Sequence, residues 1–326
     1  MDSRFTHPLL SSFADSLDES LASDADLERG ELHPHKPASH PVRRVSALRI
    51  LCIGLALMVS ASLYFAVQFA TINVRPCGST SVNASLPEVR LKRMVLPWFF
   101  NWKTAQGVAS DAKYLYFSGR NSIRKIRIDR FATTVRNNPS AIPQELVAND
   151  YDHLGDISMY NGKIIAPVED KAWVRPIIVE YDPKNLSAVR SQRVPSQRHL
   201  PWAAVKEDVL YSSESPVARE IKRYRWPTLE PLPPIKTNTI RGAQGGEFDT
   251  AGSGNLLLSA SYADEQGCNM YEYDSKTWKL VQAYSLSTPL KFFELEGLTI
   301  LPSHLALTAN LYDLFQAIIV LDRSES

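Results

Sequence analysis

Three stretches of the chain decide the fold: YDPKNLSAV (181–189), YRWPTLEPL (224–232) and YDSKTWKLV (273–281). Each begins with a tyrosine that ends an apolar strand, continues through turn-forming residues and returns into a second strand. Comparable strand ends, with an aliphatic residue followed by an acid, occur at Ile128-Asp129 and Leu321-Asp322. This strand–turn–strand pattern therefore recurs along the chain and predicts an all-β fold made of repeats.

A second marker precedes each copy of the first, with successive starts 45 to 50 residues apart: TAQGV (104–108), HLGDI (153–157), HLPWA (199–203), QGGEF (244–248) and ELEGL (294–298). An apolar strand lies between the two markers: KYLYFS, KIIAPV, DVLYSS, NLLLSA and HLALTA. Two markers that keep one period predict a five-bladed β-propeller with three to four strands per blade. A six-bladed ring stays open as the alternative, with a degenerate unit in the longer linkers.

The last unit reaches the C-terminus after its third strand, so its blade needs an outer strand from elsewhere. We expect RMVLPWFF (93–100), which precedes the first unit, to supply that strand. Such an exchange closes the ring and removes exposed strand edges.

The units resemble those of YncE, NHL and strictosidine-synthase-like propellers over residues 93–326. The segment ELEGLTI (294–300) resembles the Glu-Gly-Leu-Thr strand of phytase-like and arylesterase-like propellers. The resemblance implies a propeller fold, and some strictosidine-synthase-like proteins are also anchored by one N-terminal helix. It implies no particular activity, because one fold supports many functions.

An apolar segment without charge, Ile50–Ala70, predicts one membrane-spanning helix within residues 45–71. Lys36, Arg43, Arg44 and Arg49 precede it closely, whereas only Arg75 follows closely. The positive-inside rule then predicts a type II, single-pass protein, with a signal-anchor in the lipid bilayer and the C-terminal part in the secretory lumen or outside the cell. Residues 1–44 form an acidic, disordered cytoplasmic tail in this interpretation.

Residues 72–92 look like a stalk, followed by the propeller domain at 93–326. Two sequons, at Asn83 and Asn185, predict a glycoprotein on the exported side. Cys77 and Cys268 both follow the span and could form a disulfide in an oxidising lumen, although two unpaired thiols remain the alternative.

Equivalent repeat positions converge at one mouth of a propeller channel. The first positions are Thr104, His153, His199, Gln244 and Glu294; the third are Gln106, Gly155, Pro201, Gly246 and Glu296; the fourth are Gly107, Asp156, Trp202, Glu247 and Gly297. Glu169, Glu214 and Asn310, at the ends of second strands, can add to the same face. We expect Gly155, Gly246 and Gly297 to permit close backbone approach at the channel.

Imidazoles and carboxylates in one ring predict a small-molecule site, and a metal-assisted hydrolase or isomerase is one candidate. Asp156, Glu294 and Glu296 would hold a divalent ion, calcium or zinc-like, while His153 or His199 moves a proton. Trp202, Gln244 and Glu247 would contact the ligand.

Three alternatives stay open: the ring is structural and links blades, it binds without catalysis, or the face is a recognition platform for a protein or glycan. A formal net charge of +1 gives no basic signal for nucleic acid. Chemical motifs such as a G-x-S-x-G elbow, an H-E-x-x-H pair and a CxxC pair are absent from the sequence.

Overall fold

A computed structural model describes residues 73–77, 89–95, 106–111, 113–287, 294–301, 304–311 and 315–323, and single helical positions at Ile53, Ala56 and Ser60. The described strands belong to the second of two compact units, 57–326. Among these residues no helix is long and apolar enough to span a membrane. Apart from the three single positions, the predicted span 50–70 lies outside the described residues, as do the predicted tail 1–44 and Asn83.

The fold is an all-β, five-bladed propeller, as the repeats predict. Two N-terminal strands, Asn73–Pro76 (β1) and Val89–Val95 (β2), precede the blades. Blade 1 contains Gly107–Ser110 (β3), Tyr114–Gly119 (β4), Ser122–Arg127 (β5) and Arg130–Asn138 (β6). A short helix, Gln144–Val147 (α1), leads to blade 2.

Blade 2 contains Tyr151–Leu154 (β7), Ser158–Tyr160 (β8), Lys163–Asp170 (β9), Ile177–Tyr181 (β10) and Ala188–Arg193 (β11). Blade 3 contains Ala204–Lys206 (β12), Val209–Ser213 (β13), Val217–Arg225 (β14) and Glu230–Arg241 (β15). Blade 4 contains Ala243–Phe248 (β16), Leu256–Ala260 (β17), Met270–Tyr273 (β18) and Leu280–Ser287 (β19). Blade 5 contains Glu294–Leu301 (β20), His304–Leu311 (β21) and Phe315–Arg323 (β22).

The first strands of the blades form a closed inner ring. Strand β3 contacts β8, β8 contacts β12, β12 contacts β16, β16 contacts β20, and β20 returns to β3. In blade 2 the inner position is shared, because β7 and β8 both pair with β9 and are separated by Gly155-Asp156-Ile157. This interruption places Asp156 outside regular strand pairing at the centre of the ring.

N-terminal strands complete two blades. Strand β2 pairs antiparallel with β22, with Met94 opposite Ile319, and so supplies the outer strand of blade 5. The closing strand begins at Val89 rather than at Arg93 as expected, and residues 96–100 of the expected segment lie outside the described residues. Strand β1 adds a fifth strand to blade 4 through β19. Two parts of the expected stalk 72–92 are therefore blade strands.

The apolar core lies in layers between neighbouring blades. Strand β9 (KIIAPVED) is buried at every position except its first, because both of its faces pack against other blades. The outer strand β11 (AVRSQR) is exposed at all but one position. A middle strand therefore has a continuous apolar sequence, whereas an outer strand has a polar one.

Three hairpins with the same geometry explain the first sequence marker. Leu186, Leu229 and Trp278 have φ of 61°, 58° and 57°, the left-handed region that is uncommon for residues other than glycine. In each hairpin the N–H of this residue donates to the carbonyl four residues earlier, at 2.7 Å. Leu186 and Leu229 are fully buried, so their packing offsets the backbone cost.

Candidate functional site

One cavity of about 380 Å³ lies at a mouth of the channel and is lined by residues from all five blades. Its wall contains Gln106, His153, Gly155, Glu169, Trp173, His199, Pro201, Gln244, Glu294 and Glu296. Below we call this space the mouth cavity. Repeat positions one and three of the second marker converge here, so the structure brings together five of the predicted site residues: His153, His199, Gln244, Glu294 and Glu296.

Asp156 is not part of the mouth cavity. Its side chain is buried at the centre of the ring, where the Val108 N–H donates to Oδ1 (3.0 Å) and the Gly246 N–H donates to Oδ2 (3.1 Å). Its own N–H donates to the Pro201 carbonyl (2.8 Å). Burial raises the pKa of Asp156 well above its usual range, while backbone hydrogen bonds, including one from Leu298, act in the opposite direction. Asp156 thus links its own blade to the other four.

Glycines make room for this carboxylate. A Cβ on Gly297 would lie 2.2 Å from Asp156 Oδ1, and one on Gly107 would lie 2.7 Å from the same oxygen. A Cβ on Gly246 would lie 2.3 Å from the Trp202 ring. The expectation that Gly246 and Gly297 permit close approach is confirmed, and so is that for Gly155, whose Cβ would meet the Pro201 carbonyl oxygen at 2.2 Å. We call Asp156, Gly107, Gly246 and Gly297 the hub.

Trp202 also lies away from the mouth cavity. Its ring is fully buried against Gly246, and its indole N–H donates to the Ser213 hydroxyl (2.8 Å). A ligand at the mouth therefore has no open face of Trp202 on which to stack. This differs from the expected ligand contact, because the fourth position of the repeat points between blades rather than into the mouth.

Glu247 likewise packs between blades 4 and 5. Its Oε2 accepts the Ile300 N–H (3.0 Å). Burial raises the pKa of Glu247 to about 7, with a smaller contribution from the nearby Asp249 carboxylate. Since Glu247 is absent from the lining of the mouth cavity, the structure does not place it as a ligand contact.

A carboxylate–imidazole pair forms one wall of the mouth cavity. Glu169 Oε1 lies 2.7 Å from His199 Nδ1 and also accepts the Leu200 N–H. Glu169 is fully buried, and its second oxygen, Oε2, has no hydrogen-bond partner among the described residues. Glu214 supports the backbone of the same segment by accepting the N–H groups of Arg198 and His199, each at 3.3 Å. The side chain of Asn310 is outside the described residues.

Trp173 is a wall residue that the repeat analysis missed. Its ring lies between two imidazoles, with centroids 4.7 Å from His153 and 4.9 Å from His199, and 39% of the residue is exposed. It comes from the connection between β9 and β10, which carries neither repeat marker. The repeat pattern therefore carries no signal for Trp173.

Asp170 fixes the connection that carries Trp173. Its Oδ1 accepts the N–H groups of Val174 and Arg175, each at 2.9 Å, and its Oδ2 accepts from Arg175 Nε at 3.1 Å. Burial opposes ionisation of Asp170, but these donors outweigh it and lower the pKa of the carboxyl. Trp173 itself has φ of +56°, a left-handed conformation that this hydrogen-bonded turn maintains.

The predicted divalent-ion site does not fit this geometry. Of its three carboxylates, Glu294 and Glu296 line the mouth cavity, but both oxygens of Asp156 accept backbone N–H groups in the hub. In the part of the chain that the structure describes, no group of three or more His, Cys, Asp or Glu side chains is arranged to hold a metal ion. We therefore derive no step through a metal.

Two further predicted sites lie outside the mouth. Cys77, directly after β1, and Cys268, before β18, are joined by a disulfide with Cα atoms 5.8 Å apart. Asn185 is exposed in the hairpin between β10 and β11, where its side-chain oxygen accepts the Ser187 N–H (2.9 Å) and hydroxyl (2.7 Å).

Comparison with known proteins shows no family for this chain. No protein-family model matches the chain, and no curated protein sequence matches it. Among solved structures, a luciferin-regenerating enzyme is 10% identical, with 73% of this chain and 96% of that chain covered and a TM-score of 0.49. A gluconolactonase from Xanthomonas campestris is 13% identical (76% and 95% covered, TM-score 0.44), and the Pan2 WD40 domain from Neurospora crassa is 10% identical (68% and 63%, TM-score 0.36).

Proposed function

We propose that the mouth cavity is a small-molecule site in which His199, oriented by Glu169, transfers a proton in a hydrolase- or isomerase-type reaction. The observation that carries this proposal is the contact of 2.7 Å between the buried Glu169 carboxylate and His199 Nδ1 in the cavity wall. A buried carboxylate beside an imidazole is a common arrangement for general acid–base catalysis.

The pair defines the role of each nitrogen of His199. When Nδ1 carries its proton, it donates to Glu169, and Nε2 is left as the nitrogen that can accept a proton from a substrate or a water molecule. The Glu169 carboxylate then stabilises the imidazolium that forms. A well-placed general base of this kind accelerates a reaction by about 10²–10⁴-fold.

The other wall residues would bind and orient the substrate. Gln106 and Gln244 offer carboxamides that both donate and accept hydrogen bonds, and Glu294 and Glu296 offer acceptors from blade 5. Trp173 would cover an apolar part of the molecule. His153, on the other side of Trp173, is the second candidate for proton transfer.

We further propose that the propeller faces the secretory lumen or the cell exterior, held by a type II anchor in the bilayer at residues 50–70. The uncharged segment, its preceding cations and the two sequons support this proposal. The disulfide between Cys77 and Cys268 adds support, because structural disulfides persist mainly in oxidising compartments. Glycosylation of Asn83 and Asn185 follows as part of the same proposal.

A substrate screen with matched histidine variants tests the proposal. The full-length chain in mild detergent is assayed against esters, lactones and amino-acid esters, and His199→Ala is expected to lower turnover at least about 100-fold while the variant stays folded at the assay temperature. His304→Ala is the control, since the backbone of His304 pairs with Leu301, at the end of β20 opposite to Glu294.

Two results would contradict catalysis at this site. One is turnover that His199→Ala leaves unchanged. The other is a chain that turns over none of these substrates, in which case the non-catalytic recognition platform for a protein or glycan becomes the better proposal.

A further inference from the structure

We propose that the mouth cavity selects a small organic cation that carries a primary ammonium group. This inference rests on the proposed small-molecule site and names its ligand class. The first argument is charge: three carboxylates, those of Glu169, Glu294 and Glu296, are in the wall, whereas no lysine or arginine lines it among the residues that the structure describes. Facing carboxylates attract a cation and repel an anion over the few ångströms of such a cavity.

The second argument is the unsatisfied oxygen of Glu169. This side chain is fully buried in the cavity wall, and its Oε2 has no hydrogen-bond partner among the described residues. A buried polar atom without a partner is costly, so a native structure keeps one for a reason such as a catalytic role or a bound water or ion. Oε2 has almost no accessible surface, so Glu169 acts on a ligand through its charge rather than through direct contact. An ammonium group has three N–H donors and no acceptor, which matches the acceptor-only carboxylates of Glu294 and Glu296 in the same wall.

The third argument is the aromatic wall. Trp173 is 39% exposed although it is in contact with two imidazole rings, and the Asp170 turn holds it there. An indole face attracts a nearby cation and also packs against an apolar body. A ligand with an ammonium group on a short apolar or aromatic body would use both the carboxylates and Trp173.

A metal cation is a less suitable ligand for the mouth cavity than an organic amine. Metal ions need several ligands at short distances, and among the described residues no group of three or more His, Cys, Asp or Glu side chains is arranged to provide them. An ammonium group needs only acceptors within hydrogen-bond distance. The geometry therefore favours an organic amine.

Three probes of similar size and different charge test the ligand class: benzylamine, benzyl alcohol and benzoate. Binding to the full-length chain in mild detergent is measured by calorimetry at fixed pH and ionic strength. We expect benzylamine to bind at least tenfold more tightly than benzyl alcohol and benzoate not to bind. Glu294→Gln should weaken benzylamine binding several-fold, whereas Glu265→Gln, which removes an exposed acid outside the mouth cavity, should leave it unchanged.

Trp173→Gly separates failure of the ligand class from failure of the site. Glycine tolerates the φ of +56° at this position, so the variant should keep the fold. Equal binding of amine and alcohol that Trp173→Gly weakens would refute the ligand class and keep the site. Binding of the probes that Trp173→Gly leaves unchanged, or no binding at all, would refute both.

Discussion

The hub and the mouth cavity both contain a buried carboxylate from blade 2, but the oxygens of the two carboxylates differ in their hydrogen bonds. In the hub, both oxygens of Asp156 accept backbone N–H groups, and glycines of the neighbouring blades leave just enough space for them. In the mouth cavity, Glu169 uses one oxygen for His199 and the Leu200 N–H, and the other has no partner among the described residues. The satisfied carboxylate of Asp156 fits a structural role, whereas the unsatisfied oxygen of Glu169 needs another explanation, for which we propose a role in the mouth cavity.

The largest expected effect comes from filling the hub. Gly297→Ala places a Cβ 2.2 Å from Asp156 Oδ1 and 2.5 Å from the Gly107 Cα, both of which are held by the ring. Because neither atom can move without separating blades, we expect a loss of about 3 kcal/mol or more in the free energy of unfolding. Thermal unfolding should show a melting temperature lower by roughly 6–12 °C.

Gly162→Ala is the matched control for this variant. Gly162 has φ of +70° and no atom within 4 Å of its Cβ position, so alanine there costs only backbone strain, about 1–2 kcal/mol. Equal destabilisation by the two variants would mean that the hub tolerates a methyl group, which contradicts its close packing.

Replacing Glu247 should change the unfolding free energy by an intermediate amount that depends on pH. Its pKa is raised from 4.5 to about 7, so between these values the folded chain binds a proton that the unfolded chain has released. The stability that this proton contributes is fully present below pH 4.5 and is lost as the pH rises through about 7. The difference in unfolding free energy between the wild type and Glu247→Gln should therefore shift against the wild type over this range. A difference that is constant from pH 4.5 to 8, or that shifts in favour of the wild type, would contradict the raised pKa.

The number of blades and the location of the mouth could be predicted from sequence. Each repeat unit corresponds to one blade, and equivalent positions of the repeats lie at the same end of the channel. Residues such as His153, His199 and Glu294 share one repeat position, so the ring symmetry brings them together despite their distance along the chain. The hairpin residues Leu186 and Leu229 share one backbone conformation for the same reason.

The direction and the contacts of individual side chains could not be predicted in this way. Asp156 and Trp202 occupy one repeat position, but β7 and β8 are interrupted at Asp156 and its carboxylate turns into the ring. Trp173 lies on a connection outside the repeat. Strand β1 pairs with β19 of blade 4, and no repeat marker encodes this pairing. The sequence offered the nearby disulfide between Cys77 and Cys268 only as one of two alternatives.

Amide replacement of the two carboxylates tests the contrast between hub and mouth most directly. Asp156→Asn and Glu169→Gln each exchange one oxygen for an NH₂ group with almost no change in shape. In the hub the new NH₂ group must face a backbone N–H, since both oxygens accept one. In the mouth it can occupy the place of Oε2, which has no partner among the described residues. The measurement is the free energy of unfolding of both variants, side by side in the full-length chain.

We predict that Asp156→Asn lowers the unfolding free energy by about 2–4 kcal/mol and that Glu169→Gln lowers it by less than about 1 kcal/mol. Such a gap would mean that Glu169 is kept for what it binds rather than for stability. A Glu169→Gln variant destabilised as much as Asp156→Asn would show that Glu169 is a structural link between blades, and the proposed site at the mouth would lose its central residue.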